Sequence, residues 1–294
     1  MLNIISFPRR IRILIHRSLE RYIDAVASKV QEKILNITVL RRLDVVFWSY
    51  FEKKALDSGN PLLKYGRKYY SQNDEDGILL EVLRRLNLST GTFIEIGVGD
   101  GCENNTIILL MSGWAGAWIG AEDLSFPVSN SSKLSFRRCL VNTSTVVEEV
   151  GLGLCELNLA SKTVDLLSID IDSYDYHICE QLLKSGLEAK VVIVEYNGKF
   201  PPPIRFVYPV DEPWDGTDFS GCSLQSWVDL LSRFNYSLIC CNVTGVNAFF
   251  VKNEYLEAFG DVPKKVDDIF MPANYNWFVQ CGHPVSARTI SSFL

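Results

Sequence analysis

The sequence predicts an α/β protein built on a doubly wound, mostly parallel, Rossmann-like sheet of seven strands. From about Tyr70 onward, short apolar runs of strand type alternate with helical patterns. The last two strand-like runs are joined by only a short turn, so they are antiparallel neighbours that close the sheet as a hairpin. A chain of 294 residues with 47% apolar content can form one such domain and an appendage.

The appendage is a predicted helical N-terminal extension, residues 1–68, and residues 69–294 form the α/β domain. Apolar residues at three- and four-residue spacing predict one helix over Leu19–Ile37 and a second over Val39–Leu56. The extension has 14 Lys/Arg against 6 Asp/Glu, whereas the remainder has 15 against 29. A basic extension of this kind can pack on the acidic body, form a homo-oligomer or contact a membrane peripherally.

The elements of the α/β domain follow from local patterns. Runs of apolar and β-branched residues predict the strands, amphipathic spacing predicts the helices, and Gly113 ends one of them. In chain order the predicted elements are helix Glu75–Leu88, strand Thr92–Ile96, helix Asn104–Ser112, strands Gly116–Ala121, Phe136–Val141 and Val164–Ile169, helix Tyr174–Lys184, strand Val191–Val194, helix Ser223–Phe234, and strands Tyr236–Cys241 and Val246–Val251.

Composition and termini exclude several classes of protein. The eight cysteines include no Cys-x-x-Cys pair, and several lie in apolar stretches, as reduced thiols of cytosolic proteins do. Charged residues interrupt the N-terminus where a signal peptide would be apolar, and no uncharged run reaches the roughly 18 residues of a membrane span. We therefore predict a cytoplasmic protein. Its acidic body disfavours a nucleic-acid partner.

A glycine-spaced turn follows the first predicted strand. It reads Glu95-x-Gly97-x-Gly99-x-Gly101, and glycine lets the backbone approach a ligand closely. Such a turn between a parallel strand and a helix is typical of nucleotide-type sites. Cys102 occupies the position of the third glycine of a dinucleotide fingerprint, which disfavours NAD. The spacing resembles the first motif of class I S-adenosylmethionine-dependent methyltransferases.

Acidic residues end four of the predicted strands. They are Glu95, Glu122 with Asp123, Asp170 with Asp172, and Glu195. The carboxyl ends of parallel strands share one rim, so these like charges repel unless a cationic ligand or a metal ion lies among them. S-adenosylmethionine offers a sulfonium, an α-amino group and ribose hydroxyls. Glu122 lies 25 positions after Gly97, near the spacing of about 20 at which an acid binds a ribose.

Four motifs together give a closer resemblance. In order they are Tyr70-Ser-Gln-Asn-Asp-Glu-Asp-Gly77, Glu95-Ile-Gly-Val-Gly-Asp-Gly101, Ser168-Ile-Asp-Ile-Asp-Ser-Tyr-Asp-Tyr176 and Val194-Glu-Tyr-Asn197. This set resembles the FkbM-type branch of class I methyltransferases, whose members typically methylate hydroxyls of sugars or polyketides. The resemblance spans residues 70–251 and leaves out the N-terminal helices.

The resemblance implies roles for individual residues. The glycines would let the backbone reach the methionine moiety, and Glu95 would lie near its amino group. Gln72 and Glu75 would close over the cofactor, and Asn142 would lie on the adenine side. The implied cofactor-binding residues are Gln72, Glu75, Glu95, Gly97, Gly99, Gly101, Glu122, Asp123, Asn142 and Asp170.

Methyl transfer to a hydroxyl also needs a general base or a metal ion that removes the proton. The local candidates for a base are Asp172, Asp175 and His177, although a histidine beside Ile178 can equally be a packed or solvated side chain. The alternative is a Mg²⁺ site, because oxygen ligands at neighbouring strand ends suit that ion. Its candidate ligands are Asp170, Asp172, Glu195 and Asn197.

The expected function is methyl transfer from S-adenosylmethionine to a hydroxyl of a small or saccharide acceptor. The loop over residues 199–221 is long and aromatic, and long loops beside a site are often lids or specificity elements. Aromatic residues with scattered acids are typical of sugar binding and so favour a saccharide, although they can equally form a satellite core. Three alternatives stay open: an N-methyltransferase, a nicotinamide-dependent oxidoreductase, and a non-catalytic scaffold recruited through the N-terminal helices.

Overall fold

The computed structural model describes residues 46, 49–51, 53–54, 56–128, 131–159, 162–210, 216–274 and 285–294. The chain divides into the units Met1–Ser49 and Tyr50–Leu294, and the structure described below belongs to the second. Most of the predicted N-terminal helices lie outside the described residues. The predicted domain boundary at 68/69 stays a prediction.

Strands and helices alternate along the second unit. The strands are β1 (Thr92–Ile96), β2 (Ala115–Gly120), β3 (Leu134–Arg138), β4 (Thr163–Ile169), β5 (Glu188–Glu195), β6 (Tyr236–Cys241) and β7 (Asn247–Lys252). The helices are α1 (Glu75–Arg85), α2 (Ile107–Met111), α3 (Val146–Glu156), α4 (Asp175–Lys184), α5 (Leu224–Ser232), α6 (Val266–Ile269) and α7 (Ala287–Ser291). None of the helices within these described ranges is long and apolar enough to cross a bilayer.

The strands form one sheet in the order β3-β2-β1-β4-β5-β7-β6. Strands β1 to β5 are parallel, and β7 runs antiparallel to both β5 and β6. The predicted doubly wound sheet with a closing hairpin is therefore confirmed. Strand order reverses between β1 and β4, and ligands of open α/β sheets bind beyond the carboxyl ends of strands at such a point.

The central strands are buried on both faces, which explains their continuous apolar runs. Two fully buried tryptophans also connect the core to the residues beyond the strand ends. The indole nitrogen of Trp118 donates to the hydroxyl of Thr106 at 2.7 Å, and that of Trp227 donates to the carbonyl of Glu195 at 2.7 Å. The packed core thus supports the rim of the sheet directly.

Helix α3 is an element that the sequence did not predict. It contains Gly151 and Gly153, and glycine lowers helix propensity by about 1 kcal/mol per residue. Gly153 is needed for packing, because a Cβ there would lie 2.9 Å from the Cβ of Ala117 in β2. The packing of α3 against β2 therefore outweighs the low helix propensity of its two glycines. That packing is visible only in the tertiary structure.

Strand β3 begins earlier than predicted. The predicted range was Phe136–Val141, whereas β3 pairs with β2 from Leu134 to Arg138. The chain then leaves the sheet, and Leu140 is 76% exposed. Cross-strand register with β2, rather than the local apolar pattern, decides where this edge strand ends.

Candidate functional site

A cavity of about 850 Å³ opens beyond the carboxyl ends of β1, β4 and β5 and the amino end of β7. Its size lies within the usual range of small-molecule sites, about 300–1,000 Å³. It is lined by Lys68, Gln72, Asn73, Glu95, Gly97, Val98, Gly99, Asp100, Glu103, Asn105, Asp170, Asp172, Glu195, Asn197, Lys199, Gly216, Thr217, Asp218, Ser220, Val246 and Asn247.

The glycine turn forms one wall of the cavity. A Cβ on Gly97, whose φ is +96°, would lie 1.5 Å from the carbonyl oxygen of Asp170, so only glycine fits there. Gly99, with φ +50°, has nothing within 4 Å of its Cβ position and leaves the backbone open to a ligand. Gly101 lies behind the wall, where its N–H donates to the carbonyl of Val98 at 2.9 Å. The first two glycines therefore line the cavity, and their approach to a cofactor stays a prediction.

Glu95 is the penultimate residue of β1 and lines the cavity, but its carboxylate binds the segment that leads into α2. It accepts hydrogen bonds from the backbone N–H of Asn105 at 2.8 Å and of Thr106 at 3.0 Å, and from the Thr106 hydroxyl. Burial raises the pKa of Glu95 to about 7. The Glu95 carboxylate thus pairs with the N–H groups of the residues that lead into α2. It fixes the backbone conformation of the segment between the glycine turn and α2.

Three carboxyl groups meet beyond β4 and β5. Oxygen atoms of Asp170, Asp175 and Glu195 lie within 4.8 Å of one another. Burial raises the pKa of Asp170 and of Glu195 well above the usual carboxyl range, and repulsion from the neighbouring carboxylates raises both further. Of the strand-end acids that the sequence expected to share this rim, Asp170 and Glu195 meet here together with Asp175 of α4. In the described part of the chain no Lys or Arg lies within ion-pair distance of these three carboxyls.

The proposed bases are distributed differently. Burial raises the pKa of Asp175 to about 6, and its carboxyl accepts from the backbone N–H of Ile171 at 2.6 Å and of Ser173 at 3.1 Å. Those bonds hold the loop in which Asp172 has a φ of +62°. Asp172 is exposed and lines the cavity, whereas Asp175 lies behind it.

His177 lies outside the set of lining residues. Its Nε2 is 3.0 Å from the carbonyl oxygen of Tyr208, and its ring contacts that of Tyr176 edge-on at a centroid distance of 5.3 Å. The imidazole thus packs between α4 and the aromatic loop. Of the three predicted bases, the structure brings Asp172 to the cavity.

The predicted metal ligands are only partly brought together. Asn197 is buried, and its amide nitrogen donates to the carbonyls of Asp218 at 2.8 Å and Ser220 at 3.1 Å. Its amide oxygen accepts from the backbone N–H of Lys199 at 3.1 Å. These bonds use the Asn197 side chain to hold the loop. The third group beside Asp170 and Glu195 is the carboxyl of Asp175.

The segment before α1 contributes differently from its predicted role. Gln72 is exposed and lines the cavity, as expected of a residue that closes over a cofactor. Glu75 is fully buried and accepts from the backbone N–H of Asn73 at 2.8 Å and from the amides of Asn242 at 2.7 Å and Asn247 at 3.1 Å. Glu75 therefore faces the β6–β7 turn.

The two acids beside Glu75 tie loops together. Asp76 accepts hydrogen bonds from three consecutive backbone N–H groups, residues 69–71, at 2.6–2.9 Å. Asp74 accepts from the backbone N–H of Val243 at 3.1 Å. Burial raises the pKa of Asp74 to about 7 and that of Asp76 to about 6. These buried acids position the loop that carries Gln72, a role that the sequence did not reveal.

The predicted ribose and adenine contacts lie at the ends of β2 and β3, apart from the lining residues. Glu122 and Asp123 are exposed, and Asp123 pairs with Arg138 at 2.9 Å. Asn142 is exposed and accepts from the backbone N–H of Ser144 at 2.9 Å. The roles of these three residues toward a nucleoside stay predictions. The cavity lies at the ends of β1, β4 and β5, on the side of the predicted site away from β2 and β3.

Asn247 is a lining residue that the sequence analysis missed. It begins β7 directly opposite Glu195 in the antiparallel ladder. A usable signal exists: an antiparallel strand begins at the rim where its parallel neighbours end, so its first residues belong to the site. The acidic residues at strand ends do not include it, because Asn247 is neutral and begins its strand.

No protein-family model and no curated protein matches the sequence. Among solved structures, the methyltransferase domain of bacterial CtHen1-C is 14% identical, with a TM-score of 0.37 over 60% of this chain and 97% of its own. The glycopeptide N-methyltransferase MtfA is 13% identical, with a TM-score of 0.37 over 65% and 96%. CalO1, a methyltransferase in calicheamicin biosynthesis in its SAH-bound form, is 12% identical, with a TM-score of 0.33 over 60% and 56%. Similarity this low identifies neither a family nor a substrate.

Proposed function

We propose that this protein transfers a methyl group from S-adenosylmethionine to a hydroxyl of a small or saccharide acceptor. The observation that carries the proposal is a glycine-walled cavity in which seven lining residues are acidic and two are basic. A cationic ligand would relieve the repulsion between carboxylates that helps to raise the pKa of Asp170 and Glu195. A sulfonium with an α-ammonium group fits this charge better than a pyrophosphate does.

The chain's own residues would bind and orient the reactants. Gly97 and Gly99 let backbone amides approach the amino-acid part of the cofactor, which supplies an activated methyl group when bound. Positioning contributes much of the rate of such an in-line displacement. In this proposal Asp172, an exposed carboxylate in the cavity, accepts the proton of the acceptor hydroxyl.

Aromatic side chains of the loop over residues 199–221, which also contributes lining residues, support a saccharide acceptor. Phe219 is 49% exposed and lies between the lining residues Asp218 and Ser220. Its ring contacts Phe206 and Tyr208 edge-on, at centroid distances of 4.9 and 5.9 Å. An exposed ring flanked by polar groups can stack on the apolar face of a sugar while those groups bind its hydroxyls.

A Mg²⁺ ion stays the alternative means of activating the hydroxyl. Asp170, Asp175 and Glu195 are the residues that would hold it, since hard oxygen donors suit this ion. Two backbone amides already bind the Asp175 carboxyl, so this set fits an ion only in part. The experiment below therefore includes Mg²⁺.

Isothermal titration of the full chain with S-adenosylmethionine tests the proposal, with NAD⁺ as the control ligand. Gly99→Arg should abolish binding because its side chain enters the cavity. Gly113→Arg is the matched control: Gly113 also has a positive φ and open space around its Cβ position, but it lies in the turn after α2, away from the cavity.

Micromolar affinity that is lost only in Gly99→Arg supports the cofactor and justifies a screen of sugar acceptors with and without Mg²⁺. Binding of NAD⁺ instead would support an oxidoreductase. Binding of neither ligand would contradict the proposal and favour the non-catalytic scaffold.

A further inference from the structure

The side chain of Asn247 has an unused hydrogen-bond acceptor that belongs to the cavity. The residue is 3% exposed, and its Oδ1 has no hydrogen-bond partner in the described part of the chain. Buried amide oxygens are nearly always paired, because leaving one unpaired is unfavourable. Since Asn247 also lines the cavity, a bound molecule is the natural partner.

The surroundings of Asn247 determine which atom faces the cavity. Its Nδ2 donates to Oε1 of Glu75 at 3.1 Å, and the same oxygen accepts from Nδ2 of Asn242 at 2.7 Å. A carboxylate oxygen only accepts, so the amide nitrogen must face Glu75 and the amide oxygen must face away from it. The missing partner is therefore a hydrogen-bond donor.

The position of Asn247 in the sheet assigns it to one half of the cavity. Its Cα pairs with that of Glu195, and directly opposite residues of an antiparallel pair project to the same face. Three strand spacings, roughly 14 Å, separate β7 from β1 and its glycine turn. The nucleoside is expected on the other side, toward β2 and β3, so Asn247 belongs to the acceptor half.

We propose that Oδ1 of Asn247 accepts a hydrogen bond from a hydroxyl of a polyol acceptor, a saccharide, and that Glu75 is the positioning residue that orients it. This inference rests on the proposed function and narrows its acceptor class. Glu195, on the same face, offers a second acceptor, so the pair can bind two neighbouring hydroxyls. A purely apolar or aromatic acceptor would leave the Asn247 oxygen unpaired and is disfavoured.

The test uses full-length protein saturated with S-adenosylhomocysteine. Methyl glycosides of glucose, galactose, mannose and rhamnose, together with glycerol, are titrated into wild type, Asn247→Leu, Glu75→Gln and the control Asn253→Leu. Asn253 is an exposed asparagine just beyond the opposite end of β7. S-adenosylmethionine affinity is measured for every variant and reports whether each one folds.

Asn247→Leu should weaken binding of the preferred glycoside about tenfold, the effect of one lost hydrogen bond. Glu75→Gln should weaken it about threefold, because a glutamine can also donate and lets the Asn247 amide turn. Asn253→Leu should leave it unchanged, and S-adenosylmethionine affinity should stay within twofold in all variants. If an acceptor from the panel is methylated, Glu75→Gln should raise KM and leave kcat nearly unchanged.

Several results overturn the inference. Equal glycoside affinity in wild type and Asn247→Leu would do so, as would a panel that wild type does not bind at all. A loss of S-adenosylmethionine binding in Glu75→Gln equal to the loss of glycoside binding would assign Asn247 to the cofactor half. Should Asn247→Leu not fold, Glu75→Gln decides alone. Failure of wild type to bind S-adenosylmethionine is the separate result that contradicts the proposed function.

Discussion

The two ends of the parallel strands carry acidic residues in opposite situations. At the amino end, Asp165 of β4 pairs with Lys190 at 2.7 Å and accepts from the backbone N–H of Thr92 at 2.7 Å. Glu188, also at that end, pairs with Lys252. At the carboxyl end, Asp170 and Glu195 face the cavity, and within the described ranges no Lys or Arg pairs with either. Asp165 and Glu188 are thus neutralised by lysine, whereas Asp170 and Glu195 are not; the acid at the carboxyl end that has a cationic partner, Asp123, lies apart from the cavity.

This difference shows where the fold tolerates an unfavourable arrangement. Burial and mutual repulsion raise the pKa of Asp170 and Glu195, whereas Lys190 satisfies Asp165 directly. Strongly perturbed carboxyls in a cavity are typical of functional sites. A carboxyl with a purely structural role is expected to be paired, as Asp165 is with Lys190. The unpaired carboxyls at the other end of the strands therefore indicate a ligand site.

The largest expected effect comes from adding a side chain at Gly97, between the ends of β1 and β4. In Gly97→Ala the new Cβ would occupy the space of the Asp170 carbonyl oxygen, so the strand ends must separate. We expect a loss of at least about 3 kcal/mol in the free energy of unfolding and no detectable S-adenosylmethionine binding. Urea denaturation and titration calorimetry measure the two.

Gly113→Ala is the control for Gly97→Ala, because Gly113 also has a positive φ, +90°, but open space around its Cβ position. It should lose only about 1 kcal/mol from backbone strain. Equal effects in the two variants would mean that strain, rather than the contact with Asp170, makes Gly97 necessary.

A matched pair of substitutions compares the two ends directly. Asp165→Ala should lower the free energy of unfolding by about 2–3 kcal/mol, because Lys190 and the N–H of Thr92 lose their partner. Glu195→Gln should not lower it, since removing one of several crowded carboxyls relieves repulsion. Urea denaturation at pH 7 measures both, and a greater loss in Glu195→Gln would reverse the comparison.

The pH dependence of stability gives an effect with a defined sign. Burial raises the folded-state pKa of Glu95 to about 7 and of Asp175 to about 6, above the ordinary carboxyl values. The folded state then binds more protons than the unfolded state between about pH 4 and 7. The stability from these groups is fully present at the low end of that window and is lost as pH rises through 6 and 7.

We expect the free energy of unfolding to fall between pH 5 and pH 8, measured by urea denaturation at constant ionic strength. In Glu195→Gln the fall should be smaller, because that carboxyl also has a raised pKa. A stability that rises over this range would contradict the raised pKa values of Glu95 and Asp175.

Much of the fold was predictable because apolar periodicity is a local property. The runs that became β1, β4 and β5 are continuous and buried, so their type and order followed from the sequence. The hairpin followed from its short turn. Helix α3 was missed because its glycines argue locally against a helix, while Gly153 allows the contact with Ala117 that places it on the sheet.

The candidate site was predictable to the extent that parallel strands end on one rim. Local sequence therefore located Gly97, Gly99 and Asp170 correctly at the cavity. It could not separate acids that face a ligand from acids that hold loops, because that depends on which backbone amides come within reach. Asp175 and Glu75 proved to be acids of the second kind.

The sequence by itself determined the order of strands and helices, the glycine turn and the gathering of acids at one rim, since each depends on residues near one another in the chain. Only the tertiary structure decided which carboxyls pair with lysine, which bind backbone, and which face the cavity. It also decided that Asn247, distant from Glu75 in sequence, would have one amide atom held and the other left open. The physical reason is that hydrogen-bond satisfaction in a buried site depends on neighbours brought together by folding.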